Sequence, residues 1–257
     1  MKNDKQNEVQ RAMIVFLTSS PTGPLDGKRK VEGFDEKNQF PENLRKYWKQ
    51  NAKCLIISAF PDEDEANDGM QKSMTETLKR AGFPFHTFDI WDRRTVDFSE
   101  QALKHYDVIF LGGGHVPTEN AFFHKIGLRE KIAGFEGVII GISAGTMNSA
   151  DLVYAQPELA GEAVDPGYER FLPGLGLTKT NILPHYQMVK DYLLDGMRLY
   201  EDITFKDSIG HEFLVLPDGS YLLIEDGKEI VYGEAYRIAD GKMEKICEEN
   251  QKNIWQE

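Results

Sequence analysis

The chain has 257 residues, of which 40% are hydrophobic, and its 30 basic and 42 acidic residues give a net charge of −12. A chain of this length can bury a core without disulfides or a metal, so we expect one domain over residues 1–257. The acidic balance disfavours nucleic acid and anionic membranes as partners. With two cysteines, Cys54 and Cys247, and no apolar stretch long enough to span a bilayer, we expect a cytoplasmic protein.

Short apolar segments recur through the first half of the chain at spacings that leave room for helices. This rhythm is typical of buried parallel strands, which we predict over residues 13–18, 54–60, 85–90, 108–111 and 138–142. Helices are predicted between them, over residues 41–50, 71–80 and 117–131, and the acidic run 61–69 is predicted to be a solvated loop. The first half therefore predicts a doubly wound α/β fold with a mainly parallel sheet flanked by helices.

The pattern changes near the carboxyl end of the chain. Residues 191–203 have the apolar spacing of an amphipathic helix. After residue 212, three Asp-Gly dipeptides punctuate alternating apolar runs, namely Asp218-Gly219, Asp226-Gly227 and Asp240-Gly241. Because Asp-Gly favours tight hairpin turns, we expect antiparallel hairpin strands that close the same domain.

A G-x-S-x-G motif follows the last parallel strand. It reads Gly141-Ile-Ser143-Ala144-Gly145 and precedes a stretch that can begin a helix. A nucleophile on a sharp strand-to-helix turn needs small neighbours, and the turn exposes its hydroxyl. We therefore interpret Ser143 as a candidate nucleophile, with the Ala144 amide as a candidate oxyanion donor.

Two further features complete a candidate hydrolase site. The loop Gly112-Gly113-Gly114 ends the preceding strand, so the amides of Gly113 and Gly114 could complete an oxyanion hole. Among six histidines, His185 is the best placed as a base, because it ends an apolar run in the second half of the sheet. No histidine pair has zinc-ligand spacing and no phosphate-binding loop is complete, so we expect neither a metal nor another cofactor.

These motifs, with Pro184-His185-Tyr186 and Leu216-Pro217-Asp218-Gly219, resemble the peptidase E and cyanophycinase family of serine peptidases, whose fold is similar to that of class I glutamine amidotransferases. The resemblance covers most of the chain. It implies Ser143 as nucleophile, His185 as base, and an acidic third member shortly after the serine. The spacing in peptidase E falls on Glu158, with Glu162 and Asp165 close behind.

The resemblance also bears on the substrate. His115 stands where the family often has Asn, so it is a candidate substrate contact. Peptidase E has an arginine shortly after its histidine that grips an aspartyl side chain, and Arg198 lies close to that position. A guanidinium can hold a carboxylate with two parallel hydrogen bonds, so aspartyl dipeptides are a candidate substrate.

The predicted function is therefore a serine peptidase acting on short peptides through a Ser-His-acid acyl-enzyme. The elbow is also compatible with an esterase or another amidohydrolase, and a non-catalytic amidotransferase-like binding domain is the alternative outside enzymes. We expect a small peptide as the bound partner and name a homodimer as the assembly to test.

Overall fold

The computed structural model describes residues 13–24 and 33–256. Within these residues the strands β1 to β16, in chain order, are Ile14–Thr18, Ala52–Ile57, Phe85–Trp91, Val108–Leu111, Val138–Ile142, Leu152–Tyr154, Phe171–Pro173, Asn181–Leu183, Leu193–Leu194, Met197–Arg198, Glu212–Val215, Tyr221–Glu225, Lys228–Tyr232, Ala235–Ala239, Lys242–Cys247 and Lys252–Gln256. The α-helices α1 to α8 are Phe40–Arg45, Asp64–Arg80, Glu100–Leu103, Val116–Lys125, Leu128–Ile132, Ala144–Met147, Tyr186–Val189 and Phe205–Asp207. A 3₁₀-helix over Lys37–Gln39 and a π-helix over Leu199–Thr204 complete the described elements.

The central sheet has eight strands in the order β16-β13-β12-β1-β5-β4-β2-β3. Strands β1, β5, β4, β2 and β3 are parallel neighbours, and β12, β13 and β16 add an antiparallel edge next to β1. A second sheet has the order β15-β14-β11-β8. The predicted α/β class, with a mainly parallel sheet and antiparallel carboxyl-terminal strands, is confirmed.

The core forms on both faces of the central sheet because its strands are buried on both sides. In β1, Val15 and Leu17 pack into one apolar cluster and Phe16 into the other. Successive side chains of a strand point to opposite faces, so a continuous apolar run supplies both layers. The register between neighbouring strands sets the level at which each strand ends.

All three predicted helices have different bounds in the structure, and the one predicted over residues 41–50 is α1, which ends at Arg45. Helix α2 begins at Asp64, so most of the acidic run predicted to be a loop is its first turns. Acidic side chains suit a helix N-terminus, where they face the unpaired backbone N–H groups. The predicted helix over residues 117–131 is two helices, α4 and α5, because Gly127 takes a left-handed conformation (φ 60°) between them.

The Asp-Gly dipeptides do not all form hairpins. Asp226-Gly227 joins β12 to β13 and Asp240-Gly241 joins β14 to β15, with positive φ at both residues of each turn. In contrast, Asp218-Gly219 connects β11 of the second sheet to β12 of the central sheet. The hairpin prediction was wrong there, because the strands on either side pair with different partners.

The prediction of one helix over residues 191–203 was also wrong. The segment forms the short strands β9 and β10 around a turn at Asp195-Gly196, followed by the π-helix. Both turn residues have positive φ, at 52° and 81°, which a helix would not accommodate. No helix among the described residues is long and apolar enough to cross a membrane.

Candidate active site

The candidate site lies where the carboxyl ends of three central strands meet. Thr18 at the end of β1 is in register with Ile142 at the end of β5, and Leu111 at the end of β4 is in register with Gly141. The loops that leave these strands therefore emerge side by side, at the edge where open α/β sheets carry their ligands.

The turn between β5 and α6 holds Ser143 in a strained conformation. Its φ of 52° and ψ of −112° lie outside the regions that non-glycine residues favour. The Ser143 N–H donates to the Thr18 carbonyl at 3.2 Å, and the Thr146 hydroxyl donates to the same oxygen at 2.8 Å. Gly145 must lack a side chain, since a Cβ there would lie 2.4 Å from the Leu111 carbonyl oxygen. These contacts support the G-x-S-x-G interpretation and fix the direction of the serine hydroxyl.

A chain of hydrogen bonds joins Ser143 to an acidic residue through a histidine. Ser143 Oγ lies 2.8 Å from His185 Nε2, and His185 Nδ1 lies 2.6 Å from Asp218 Oδ1. With the Asp218 carboxylate ionised, Nδ1 carries the proton and donates it, so Nε2 is left to accept from the serine hydroxyl. This is the arrangement that a serine nucleophile with a histidine base requires.

The acid at this histidine is Asp218, not Glu158. Both ring nitrogens of His185 are occupied, one by Ser143 and one by Asp218, so no nitrogen remains for another carboxylate. The expectation that Glu158, or its neighbours Glu162 and Asp165, holds His185 is therefore corrected. Asp218 belongs to the Leu216-Pro217-Asp218-Gly219 motif, which the sequence analysis used for the family resemblance, and to the predicted turn Asp218-Gly219, but it was not predicted as the acid.

Two residues that the sequence did not suggest hold Asp218. Its side chain has no exposed surface. The Ser19 hydroxyl donates to Asp218 Oδ1 at 2.7 Å, and the Gln187 side-chain amide donates to Oδ2. Ser19 Oγ also accepts a hydrogen bond from the backbone N–H of His185 at 2.8 Å, so one buried hydroxyl contacts both residues. Its position after the central strand β1 was the signal that could have identified it.

The glycine loop lies against the elbow. A Cβ on Gly113 would lie 3.3 Å from the Ser143 Cβ, and the Gly145 N–H donates to the Gly112 carbonyl at 2.9 Å. Gly114 packs so closely on the Phe60 ring that a Cβ would lie 2.5 Å from it. The amides that the sequence assigned to an oxyanion hole are thus adjacent to the nucleophile.

A pocket of about 220 Å³ opens beside Ser143 and His185. Its described lining is mostly apolar, with Glu158 and Gln156 as the further polar side chains, and comprises Gly114, Val116, Ser143, Met147, Gln156, Pro157, Glu158, Pro184, His185, Val189, Tyr192 and Leu199. Glu158 is solvent-exposed, yet the surrounding protein desolvates its carboxyl and raises the pKa. His115 and His185 partly offset that rise in the pKa.

His115 does not line the pocket. Its ring nitrogens lie 2.8 Å from Thr118 Oγ1 and 2.8 Å from Glu162 Oε1. The predicted substrate contact is corrected to a structural one, since both nitrogens are engaged. Partial burial raises the pKa of Glu162, but the amides of Glu158 and Leu159 and the His115 ring outweigh it, so the pKa lies below its usual range.

Arg198 does not line the pocket either. Its guanidinium is exposed and forms hydrogen bonds to Asp202, with Glu201 also nearby. The predicted contact between Arg198 and a substrate carboxylate is therefore corrected to a surface ion pair. The hydrogen bond with Asp202 raises the pKa of Arg198 further, so the group is a stable cation outside the site.

Comparisons with known proteins identify the family and the fold. The model of peptidase family S51 matches residues 30–232. A crystal structure described as a putative peptidase E protein from Listeria monocytogenes EGD-e is similar in fold, with a TM-score of 0.55 and 14% sequence identity. The match covers 91% of this chain and 99% of that one. None of the curated proteins matches the sequence.

Proposed function

Because the chain belongs to peptidase family S51, it is a serine-type peptidase, and we propose that it hydrolyses short peptides through an acyl-enzyme on Ser143. The observation that carries the proposal is the hydrogen-bonded sequence Ser143, His185 and Asp218. A serine hydroxyl is a weak nucleophile unless a neighbouring base removes its proton, and His185 Nε2 lies at hydrogen-bond distance for that transfer.

In the acylation step, His185 Nε2 takes the Ser143 proton as Oγ attacks the peptide carbonyl carbon. The imidazolium that forms is stabilised by Asp218, which keeps Nδ1 protonated. His185 then gives the proton to the leaving amine, and the carbon–nitrogen bond breaks. Water, deprotonated by the same histidine, hydrolyses the ester and restores Ser143.

The oxyanion of each tetrahedral intermediate needs preorganised donors. The Ala144 amide is the first of helix α6 and therefore has no acceptor within the helix. The amides of Gly113 and Gly114 lie in the loop that contacts Ser143. We assign the oxyanion hole to these three groups, where removing one donor typically costs about 10²- to 10³-fold in turnover.

The volume and the charge of the pocket restrict the size and the charge of the substrate. A volume of about 220 Å³ suits one side chain and its backbone rather than a long peptide segment. Among the described residues that line it there is no lysine or arginine, and Glu158 is present. The proposed substrate is therefore a short peptide that does not place an acidic side chain in this pocket.

Labelling with a fluorophosphonate tests the proposal. Such a probe phosphonylates a serine only when a base activates it, so we expect a mass increase confined to the peptide that contains Ser143. The Ser143→Ala variant should remain unlabelled, and its peptide hydrolysis should fall by about 10⁴-fold or more. A labelled wild type whose activity survives Ser143→Ala would contradict the assignment.

A further inference from the structure

The pocket contains a carboxylate that the proposed chemistry does not use. Glu158 lines the pocket together with Ser143 and His185. Asp218 already occupies His185 Nδ1, and Ser143 occupies Nε2, so Glu158 neither orients nor accepts a proton from the ring. Among the described residues, no side chain donates a hydrogen bond to the Glu158 carboxylate and none forms an ion pair with it.

The backbone that carries Glu158 is nevertheless held firmly. Glu162 Oε2 accepts the N–H groups of Glu158 and Leu159 at 2.8 and 2.9 Å. Glu162 Oε1 lies 2.8 Å from His115 Nε2, and His115 precedes helix α4 beside the glycine loop. The backbone at Glu158 is therefore held near the nucleophile before any ligand arrives, which lowers the cost of binding there.

An unpaired carboxylate in this environment carries a cost. The surrounding protein reduces its hydration, which raises its pKa; His115 offsets part of that rise, Glu162 adds to it by repulsion, and His185 again lowers it. A cation brought into the pocket would remove that cost by pairing with the carboxylate. Ionisable groups with a shifted pKa that line a cleft are enriched at functional sites.

The remaining walls restrict which cation fits. Val116, Met147, Val189, Tyr192 and Leu199 surround the pocket with apolar surface. A ligand that matches both features has an apolar part against these side chains and one positive group at Glu158. The protein's net charge of −12 also favours the approach of cationic substrates over anionic ones.

We propose that Glu158 is the specificity residue of this peptidase and takes a positive group of the substrate residue at the cleaved bond, whose apolar part packs against the pocket walls. This inference rests on the proposed function. Two sources supply the same chemistry, the α-ammonium of the peptide's first residue and the side-chain cation of a lysine or arginine. In both cases the Glu158 carboxylate accepts charge-assisted hydrogen bonds from the substrate.

Four substrates separate the two sources. They are lysyl-dialanine and norleucyl-dialanine, each with a free and with an acetylated amino terminus, and cleavage is followed by mass spectrometry. Norleucine keeps the apolar chain of lysine but lacks its ammonium. A side-chain cation at Glu158 predicts that wild type prefers acetyl-lysyl over acetyl-norleucyl peptide. An α-ammonium predicts a preference for free over acetylated norleucyl peptide.

In either case, we compare kcat/KM for the preferred peptide with kcat/KM for the matched peptide that lacks the cation. Glu158→Gln should reduce this ratio by about 10- to 100-fold, which is the value of a lost charge-assisted hydrogen bond. Glu158→Lys should reverse it. The matched control is Glu169→Gln, which removes the same charge from an exposed residue of the same connection between β6 and β7 that does not line the pocket. Its ratio should equal that of wild type.

Binding gives a second measurement that does not depend on turnover. In a Ser143→Ala background, calorimetry with the four peptides should show the same preference, and adding Glu158→Gln should remove it. A wild type that cleaves the peptides without preferring either cation overturns the inference and leaves the proposed function standing. Cleavage that survives Ser143→Ala, or no cleavage of any peptide, overturns the proposed function itself.

Discussion

Asp218 and Glu158 are two carboxylates close to His185 that differ in their hydrogen-bond partners. Asp218 sits in the connection between the two sheets, without exposed side-chain surface, and accepts from His185, Ser19 and Gln187. Glu158 faces the pocket, and no described side chain donates to its carboxylate. The difference shows that the number and direction of donors, rather than closeness along the chain, separate an orienting acid from one that is available to a ligand.

Asp218→Asn is the most direct test of whether Asp218, and not Glu158, orients His185. The amide keeps the shape of the side chain but can no longer hold the His185 tautomer or balance an imidazolium, so kcat should fall by about 10⁴-fold. Steady-state kinetics on a cleaved peptide measures it. If Glu158→Gln lowers kcat more than Asp218→Asn does, the two carboxylates have been assigned to the wrong roles.

The sequence could predict the nucleophile and the strand ends but not the acid. The fold and the placement of Ser143 follow from local patterns, namely apolar runs and a glycine-flanked turn. Asp218 depends on pairing between distant strands, because its Asp-Gly dipeptide is locally indistinguishable from the hairpin turn at Asp226-Gly227. Glu158 follows Ser143 closely along the chain and lines the same pocket, but it forms no hydrogen bond with His185.

The same limit explains the errors over residues 191–203. Their apolar spacing fits a helix, yet Asp195-Gly196 is another Asp-Gly turn, and the strands it joins are only two residues each. The acidic neighbours of Arg198, Glu201 and Asp202, were the visible signal that the guanidinium would be paired locally. Ionic contacts three and four residues apart need no tertiary structure, so they were the safer prediction.

Ser19→Ala sharpens the comparison by removing one donor from Asp218. The change also deprives the partly buried backbone N–H of His185 of its acceptor, and leaving a fully buried polar group unpaired costs about 1–3 kcal/mol. We expect kcat to fall by about tenfold with KM nearly unchanged. The matched control is Ser20→Ala, whose buried hydroxyl donates to the Gly23 carbonyl instead. Equal losses of kcat in both variants would show that the effect is on folding and not on Asp218.

Glu162→Ala tests the role of the loop that carries Glu158, because Glu162 binds the backbone of this loop and not the Glu158 carboxylate. The variant loses the acceptor of the Glu158 and Leu159 amides and the contact with His115, so Glu158 is no longer fixed. KM for the preferred peptide should rise by about 3- to 10-fold, with a smaller change in kcat, because the nucleophile and base are untouched. A fall confined to kcat would contradict a role in substrate binding.

A third carboxylate, Glu119 in helix α4, gives the smallest expected effect on activity and a specific effect on stability. It has no exposed surface, Oε2 accepts from Asn148 at 2.9 Å, and Oε1 has no partner. Burial raises the pKa of Glu119 well above its usual range, so the folded state binds a proton that the unfolded state releases. The stability from this proton is complete below the unfolded pKa and is lost as pH rises through the folded pKa. Between those two values the loss is about 1.4 kcal/mol per pH unit.

Glu119→Gln keeps the shape without the ionisation, so its free energy of unfolding should approach or exceed that of wild type as pH rises, with kcat within a few-fold. Denaturant titrations from about pH 4 to pH 9 measure the difference. If the free energies of unfolding of the two proteins change with pH in parallel, folding does not shift the pKa of Glu119, and the prediction fails. The result separates three uses of a carboxylate in one fold, because Asp218 is buried and paired, Glu158 is exposed and unpaired, and Glu119 is buried with a raised pKa.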